Sequence, residues 1–233
     1  MSAQHPREML NLSAAVSPQV FRLLRNRIIR GDLEPGTRLS EAEIGAEYEV
    51  SRQPVREAFI KLADEGLLEI RPQRGTFVRK IAVSAVMDAR FVREAIEADV
   101  VKLLAKSNNP ALHRELRAQI AAQHERVEAG DNLGFMELDE RFHRTLAEAA
   151  DKHHAWSMVE TVKSQMDRVR YLSTKRFPME NLVHQHAEVV AALERENPAE
   201  AEAAMRLHLQ AILSDLPGIV EDKPTYFDAS ERI

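Results

Sequence analysis

The sequence predicts a mainly α protein in two unequal parts. Three short helices and a hairpin come first, and a C-terminal antiparallel all-α helical bundle of about six helices follows. Three observations lead there. The 233 residues include only 8 Gly and 5% aromatics, against abundant Ala, Leu, Glu and Arg, a composition that favours helix. Signals for β structure are confined to residues 67–80. Beyond Ile81 the chain reads as amphipathic stretches separated by Asn, Pro and Gly breaks. At 44% hydrophobic and 30% charged, it can bury a core and keep a polar surface.

Residues 1–16 read as a disordered tail. In "SPQVFRLLRNRIIRG", Val20, Leu23, Leu24 and Ile28 recur at helical spacing until Gly31 stops the run. Pro35-Gly36 makes a turn, and Ser40 with Glu43 has the spacing of a capping box for a second helix. The third helix opens in "VSRQPVREAF". With Ser51 as N-cap, Pro54 takes the third helical position, where its missing N–H has no intrahelical partner to lose. Val55, Ala58, Phe59 and Leu62 form the buried face of this helix, and Gly66 ends it. Two β-prone runs, 67–70 and 76–80, flank a Pro/Gly/Arg turn. Helix, helix, helix and hairpin over residues 17–80 make an N-terminal winged helix-turn-helix.

From 84 to 215 six helical stretches are expected, at 84–107, 110–129, 132–150, 153–175, 179–195 and 198–215. Residues 216–233 read as a polar C-terminal tail. The chain has no cysteine, so neither disulfides nor thiol chemistry operate. No apolar run reaches membrane-spanning length and no signal-peptide core opens the sequence, which leads to the expectation of a cytoplasmic protein without a membrane partner. The formal charge of −5 is uneven: residues 1–80 hold 13 Lys and Arg against 11 Asp and Glu, and residues 81–233 hold 19 against 26.

Arg52 and Arg56 lie one turn apart on the third helix, with Gln53 on the same face. An α-helix fits the DNA major groove, where Arg forks onto guanine and Gln onto adenine. Ser51 at the helix start can meet a phosphate, and Arg38 with Arg74-Gly75 at the hairpin tip adds positive charge. Two spaced arginines alone would be an ordinary solvated face; the surrounding elements favour DNA.

The stretch from "LRNRIIRGDLEPGTRLSE" through "VSRQPVREA" and "LADEGLLE" to "RPQRGTFV" resembles the DNA-binding domain of GntR-family bacterial transcription regulators. The resemblance implies main DNA contacts from Arg38, Arg52 and Arg56, supported by Ser51, Gln53 and Gly75. Position 53 is often Thr in that family, so the operator would differ there.

A second constellation lies in the bundle. Asp139, His143, His186 and His208 occupy positions where the apolar pattern calls for core. Buried ionisable groups are costly unless paired or bound to metal, and three imidazoles with one carboxylate suit a divalent transition ion. An Asp139–His143 salt bridge and hydrogen-bonded core histidines are the competing explanations. The other histidines, His184 included, read as surface or loop residues. The bundle resembles the FCD effector domain of the FadR-like branch of the same family, whose Asp-x-x-x-His, His and His pattern matches these four residues. Arg93 also faces inward, where it can pair with Glu97; the resemblance implies instead a contact to an effector carboxylate.

The expected function is a homodimeric repressor that reads a palindromic operator. Its affinity would be set by a small organic acid beside a divalent metal, zinc first, with nickel and manganese as alternatives. Two competing functions use the same pocket: a metal-dependent hydrolase or oxygenase, and a regulator whose metal is purely structural.

Overall fold

The computed structural model describes residues 10, 11 and 13–230. The chain divides into two units. One runs to Ile81 and takes back Thr225–Asp228; the other spans Ala82–Pro224. The tail expected over 1–16 lies largely outside the described residues (1–9 and 12). Within it, Asn11 exchanges two 2.8 Å hydrogen bonds with Gln19, and Leu10 rests on the core of the first unit.

In the first unit the predicted apolar stripes become the core. Val20, Leu24 and Ile28 of α1 (Val16–Arg30) pack against Val55, Phe59 and Leu62 of α3 (Arg52–Asp64). Between them α2 (Glu41–Glu47) forms the first half of the helix-turn-helix. Gly45 lets the turn into α3 close: a Cβ there would stand 2.9 Å from the Val50 carbonyl oxygen. The Ser40–Glu43 capping box does not form, because the Ser40 side chain makes no capping bond. The start of α2 instead carries two acids, Glu41 and Glu43, that favour its positive end, and Glu41 is drawn across to Arg56. The α3 helix starts at Arg52, which leaves Pro54 in the third position as expected.

The wing is a three-stranded antiparallel sheet in the order β1-β3-β2. Strands β2 (Leu68–Arg71) and β3 (Gly75–Val78) are the predicted hairpin, with Leu68 opposite Val78. A two-residue strand, β1 (Arg38–Leu39), adds the third, with Arg38 opposite Phe77. Two residues are too short to show a period, so this strand was invisible in the sequence.

The second unit is all helix: α4 (Val83–Leu104), α5 (Pro110–Glu128), α6 (Asn132–Ala149), α7 (His153–Val162), α8 (Ser164–Thr174), α9 (Glu180–Glu194) and α10 (Pro198–Asp222). Its helix starts follow from the predicted breaks. Asn109, Asp131 and Asn197 each accept a backbone N–H from three residues on, and Pro110 and Pro198 occupy first positions. The stretch expected as one helix over 153–175 is two, which gives seven helices rather than six among the described residues. Lys163 separates them with ψ near 0°; its buried ammonium group reaches Asp167 at 2.8 Å and Glu140 at 2.9 Å. Helix α4 lies against α10, α7, α8 and α6, while α9 packs against α10 and α5. The core between them is built on Val101, Leu116, Phe142, Val190, Leu193 and Met205.

The C-terminus departs from the expected tail. Helix α10 passes through Pro217 to Asp222, with Arg176 hydrogen-bonded to the Gly218 carbonyl. A short 3-10 turn, Pro224–Tyr226, then leads to Phe227, which is buried and pairs with Ile81 in a parallel bridge. The Ile81 N–H donates to the Tyr226 carbonyl at 2.8 Å, and the Asp228 N–H donates to the Ile81 carbonyl at 3.0 Å. The Tyr226 hydroxyl reaches Glu34 at 3.1 Å.

Candidate functional site

The first unit gathers the predicted arginine face. Ser51, Arg52, Gln53 and Arg56 are all exposed at the start of α3, and Arg38 and Arg74 are exposed on the sheet and its turn. Arg38 and Gly75 are in contact: Gly75 has φ +110°, and a Cβ on it would stand 2.9 Å from Arg38 Nε. Glycine therefore serves here both the backbone conformation and the seat of an arginine. The polar residues of α3 are tied up locally. Arg56 forms two 2.9 Å bonds to Glu41, and Gln53 donates to Glu57 at 3.1 Å. Both ties are solvent-exposed and can exchange for DNA at little cost.

The second unit brings Asp139, His143, His186 and His208 together, all of them buried, with one ligand atom of each within 4.8 Å of the others. Asp139 and His143 stand one turn apart on α6, His186 comes from α9 and His208 from α10. The three Nε2 atoms converge: His208 Nε2 lies 3.1 Å from that of His143 and 3.2 Å from that of His186. Phe142 stacks on the His186 ring at 4.2 Å and walls the cluster from the core.

The outer nitrogens have partners of their own. His186 Nδ1 is 2.8 Å from Gln123 Oε1, and His208 Nδ1 is 3.1 Å from Gln185 Oε1. Glu97 Oε2 stands 2.5 Å from His143 Nδ1, off the line of a regular hydrogen bond. Asp139 Oδ2 takes the Arg170 guanidinium, while Asp139 Oδ1 is buried without a hydrogen-bond partner, 3.6 Å from His186 Nε2. Burial pushes the His186 imidazole down to about 3 and, helped by His186 and His143, pushes His208 well below its ordinary value. Burial alone would raise Asp139, but Arg170 and the neighbouring imidazoles outweigh it and hold the carboxylate well below its usual range. The His186 and His208 rings are thus neutral and the aspartate ionised, the forms in which these residues ligate metal.

Three nitrogens and one bare carboxylate oxygen fit a transition-metal ion, zinc being well served by such a set. The Asp139–His143 pairing weighed against the metal is present at the edge of ion-pair range, with His143 Nε2 4.0 Å from Asp139 Oδ2. Arg93 does make the pairing left open for it: its Nε donates to Glu97 Oε1 at 2.6 Å, fully buried. Arg93 nonetheless lines a cavity beside His208, together with Arg170, Ser173, Asp215 and an apolar wall that includes Met136 and Ile212. Sequence reasoning missed Gln123, Gln185 and Arg170. Only Gln123 carried a signal, as a polar residue on the α5 stripe of Leu112 and Leu116.

An exposed arginine-bearing helix with a wing, joined in one chain to a helical unit with a buried His/Asp cluster, defines a winged-helix DNA-binding protein with a second, helical domain. The chain belongs to the gntR family of bacterial regulatory proteins, matched over residues 17–78, and carries an FCD domain, matched over 88–211. It is 39% identical over 219 residues to the HTH-type transcriptional repressor RspR of Escherichia coli K12, across 94% of this chain and 96% of that protein. An HTH-type transcriptional regulator of Streptomyces ambofaciens is 35% identical across 89% of this chain and 88% of its own. Among solved structures, a GntR transcriptional regulator from Rhodococcus sp. RHA1 aligns with TM-score 0.71 at 27% identity, over 87% of this chain and 97% of that one. Escherichia coli McbR/YncC shares the fold, with TM-score 0.75 at 17% identity over 90% of this chain and 99% of that one. The protein is a DNA-binding transcription regulator, and its relatives are regulators rather than enzymes.

Proposed function

We propose that the protein is a homodimeric, cytoplasmic repressor whose hold on a palindromic operator is set by a small carboxylate bound beside a divalent metal. The observation that carries this reading is the convergence of three imidazole Nε2 atoms beside Asp139, whose buried Oδ1 has no hydrogen bond, next to a cavity lined by Arg93. Charge supports it. Arg93 and Arg170 face Glu97, Asp139 and Asp215 around the site, so a dication leaves a single positive charge in excess that an organic anion relieves. An anion at Arg93 also draws on the guanidinium that holds Glu97, which links the ligand to the metal through one side chain.

The kinship with a named repressor favours repression over activation. A second copy is favoured by exposed apolar pairs one turn apart on neighbouring helices, Met87 with Phe91 on α4 and Met158 with Val162 on α7. In a two-fold dimer the spacing of the two recognition helices governs affinity, and a ligand that prefers one arrangement of the bundle shifts it. The test is a mobility shift on the protein's own upstream region, with and without divalent metal and a panel of small carboxylates. Specific binding that no metal–carboxylate pair alters would overturn the regulatory part. Loss of specificity on Arg52→Ala and Arg56→Ala is expected, and its absence would overturn the assignment of α3.

A further inference from the structure

Each imidazole has two nitrogens, and the proposed metal accounts only for the inner ones. The outer nitrogens face three residues from three helices: Glu97 on α4, Gln123 on α5 and Gln185 on α9. We infer that Glu97, Gln123 and Gln185 are positioning residues of the metal centre, keeping a proton on each Nδ1 so that three bare Nε2 atoms face one point. The inference rests on the metal proposal above and extends it beyond the four ligands.

The chemistry at each ring is specific. Gln123 spends its amide nitrogen on the Leu138 carbonyl at 3.3 Å, which turns its Oε1 toward His186. An amide oxygen only accepts, so Nδ1 of His186 must be the donor and Nε2 carries the lone pair. Gln185 Oε1 does the same for His208. Glu97, clamped by Arg93, is a carboxylate with no proton to give. At 2.5 Å it tolerates an N–H at His143 and repels a lone pair. With the protons held at Nδ1, bare Nε2 atoms would stand 3.1 and 3.2 Å apart, an arrangement that a cation relieves. Glu97 differs from the two glutamines in bringing a full negative charge to the ring it faces.

These partners also decide which helices feel the metal. His143 ties α6 to α4, His186 ties α9 to α5, and His208 ties α10 to α9. The centre therefore reaches five helices, whereas its four ligands come from three.

Two measurements on the full-length protein test this. Nitrogen-15 NMR of the metal-free wild type should show His186 and His208 protonated at Nδ1; protonation at Nε2 would overturn the inference whatever the variants do. Zinc affinity, read by competition with a chromophoric chelator, should fall about tenfold or more in Gln123→Leu and in Glu97→Gln. Gln123→Glu, which keeps an acceptor, should restore most of it. Should Gln123→Leu not fold, Gln185→Leu at the half-buried position serves in its place. Unchanged affinity in the leucine variant, with tight zinc uptake by the wild type, sinks the positioning role alone. A wild type that takes up no zinc sinks the metal proposal as well.

Discussion

At the scale of single residues, protonation gives the sharpest expectation. His186 and His208 are held below the ordinary imidazole value of 6.5, His186 to about 3, so the unfolded chain binds their protons first. Groups with lowered folded values stabilise the fold above the unfolded value and lose that contribution as pH falls. Asp139 and Glu97 act in the same direction at lower pH, Glu97 being held to about 2 where Arg93 and His143 outweigh its burial. The metal-free protein should therefore lose thermal stability as pH drops from about 6.5 toward 3. Melting temperatures across that range check it, and a flat profile would contradict the buried neutral imidazoles. The four clustered residues, Asp139, His143, His186 and His208, were legible in the sequence because each is a polar residue on an apolar stripe. Arg170 was not, since its pairing with Asp139 depends on how α8 packs against α6. Gln185 stands beside His186 with no periodic signal of its own.

At the scale of elements, the recognition helix began where Pro54 required, because a fixed φ and a missing N–H leave the chain few options. Breaks without such punctuation were missed. Lys163 stands at the boundary between α7 and α8 with its ammonium group in a buried ion pair, and nothing local in "ETVKSQ" announces it. The converse error came at Pro217-Gly218, which reads as a stop but is carried inside α10. Gly45 offers an element-scale test. Gly45→Ala places a methyl group against the Val50 carbonyl oxygen in the turn between α2 and α3. Despite the better helix propensity of Ala, a net loss of about 1–2 kcal/mol is expected, measurable by denaturant unfolding. On the DNA face, Arg52→Ala should weaken operator binding by at least about tenfold, and Lys61→Ala far less, by fluorescence anisotropy at fixed salt.

At the scale of the whole molecule, the two-part plan was legible from composition and break residues, and both matched domains fall within the expected spans. Quaternary structure is testable through the exposed apolar pairs. Phe91, 66% exposed, and Met158, 64% exposed, are costly to leave in water as a patch. Phe91→Glu together with Met158→Glu should shift sedimentation toward the monomer and weaken binding to a two-half-site operator more than to a single half-site.

The return of Phe227 to Ile81 means that the first unit is not a continuous segment of sequence. In polymer terms, the chain between the two paired points is a closed loop of roughly 140 residues, and a coil of that length resists closure by roughly 4 kcal/mol. While the bundle is folded, that entropic cost is met by the bundle itself; once it melts, the cost falls on one buried phenylalanine and two backbone hydrogen bonds. A fragment cut at residue 81 would lack Phe227 altogether and leave Ile81 uncovered, so it should melt below the same unit in the full-length chain.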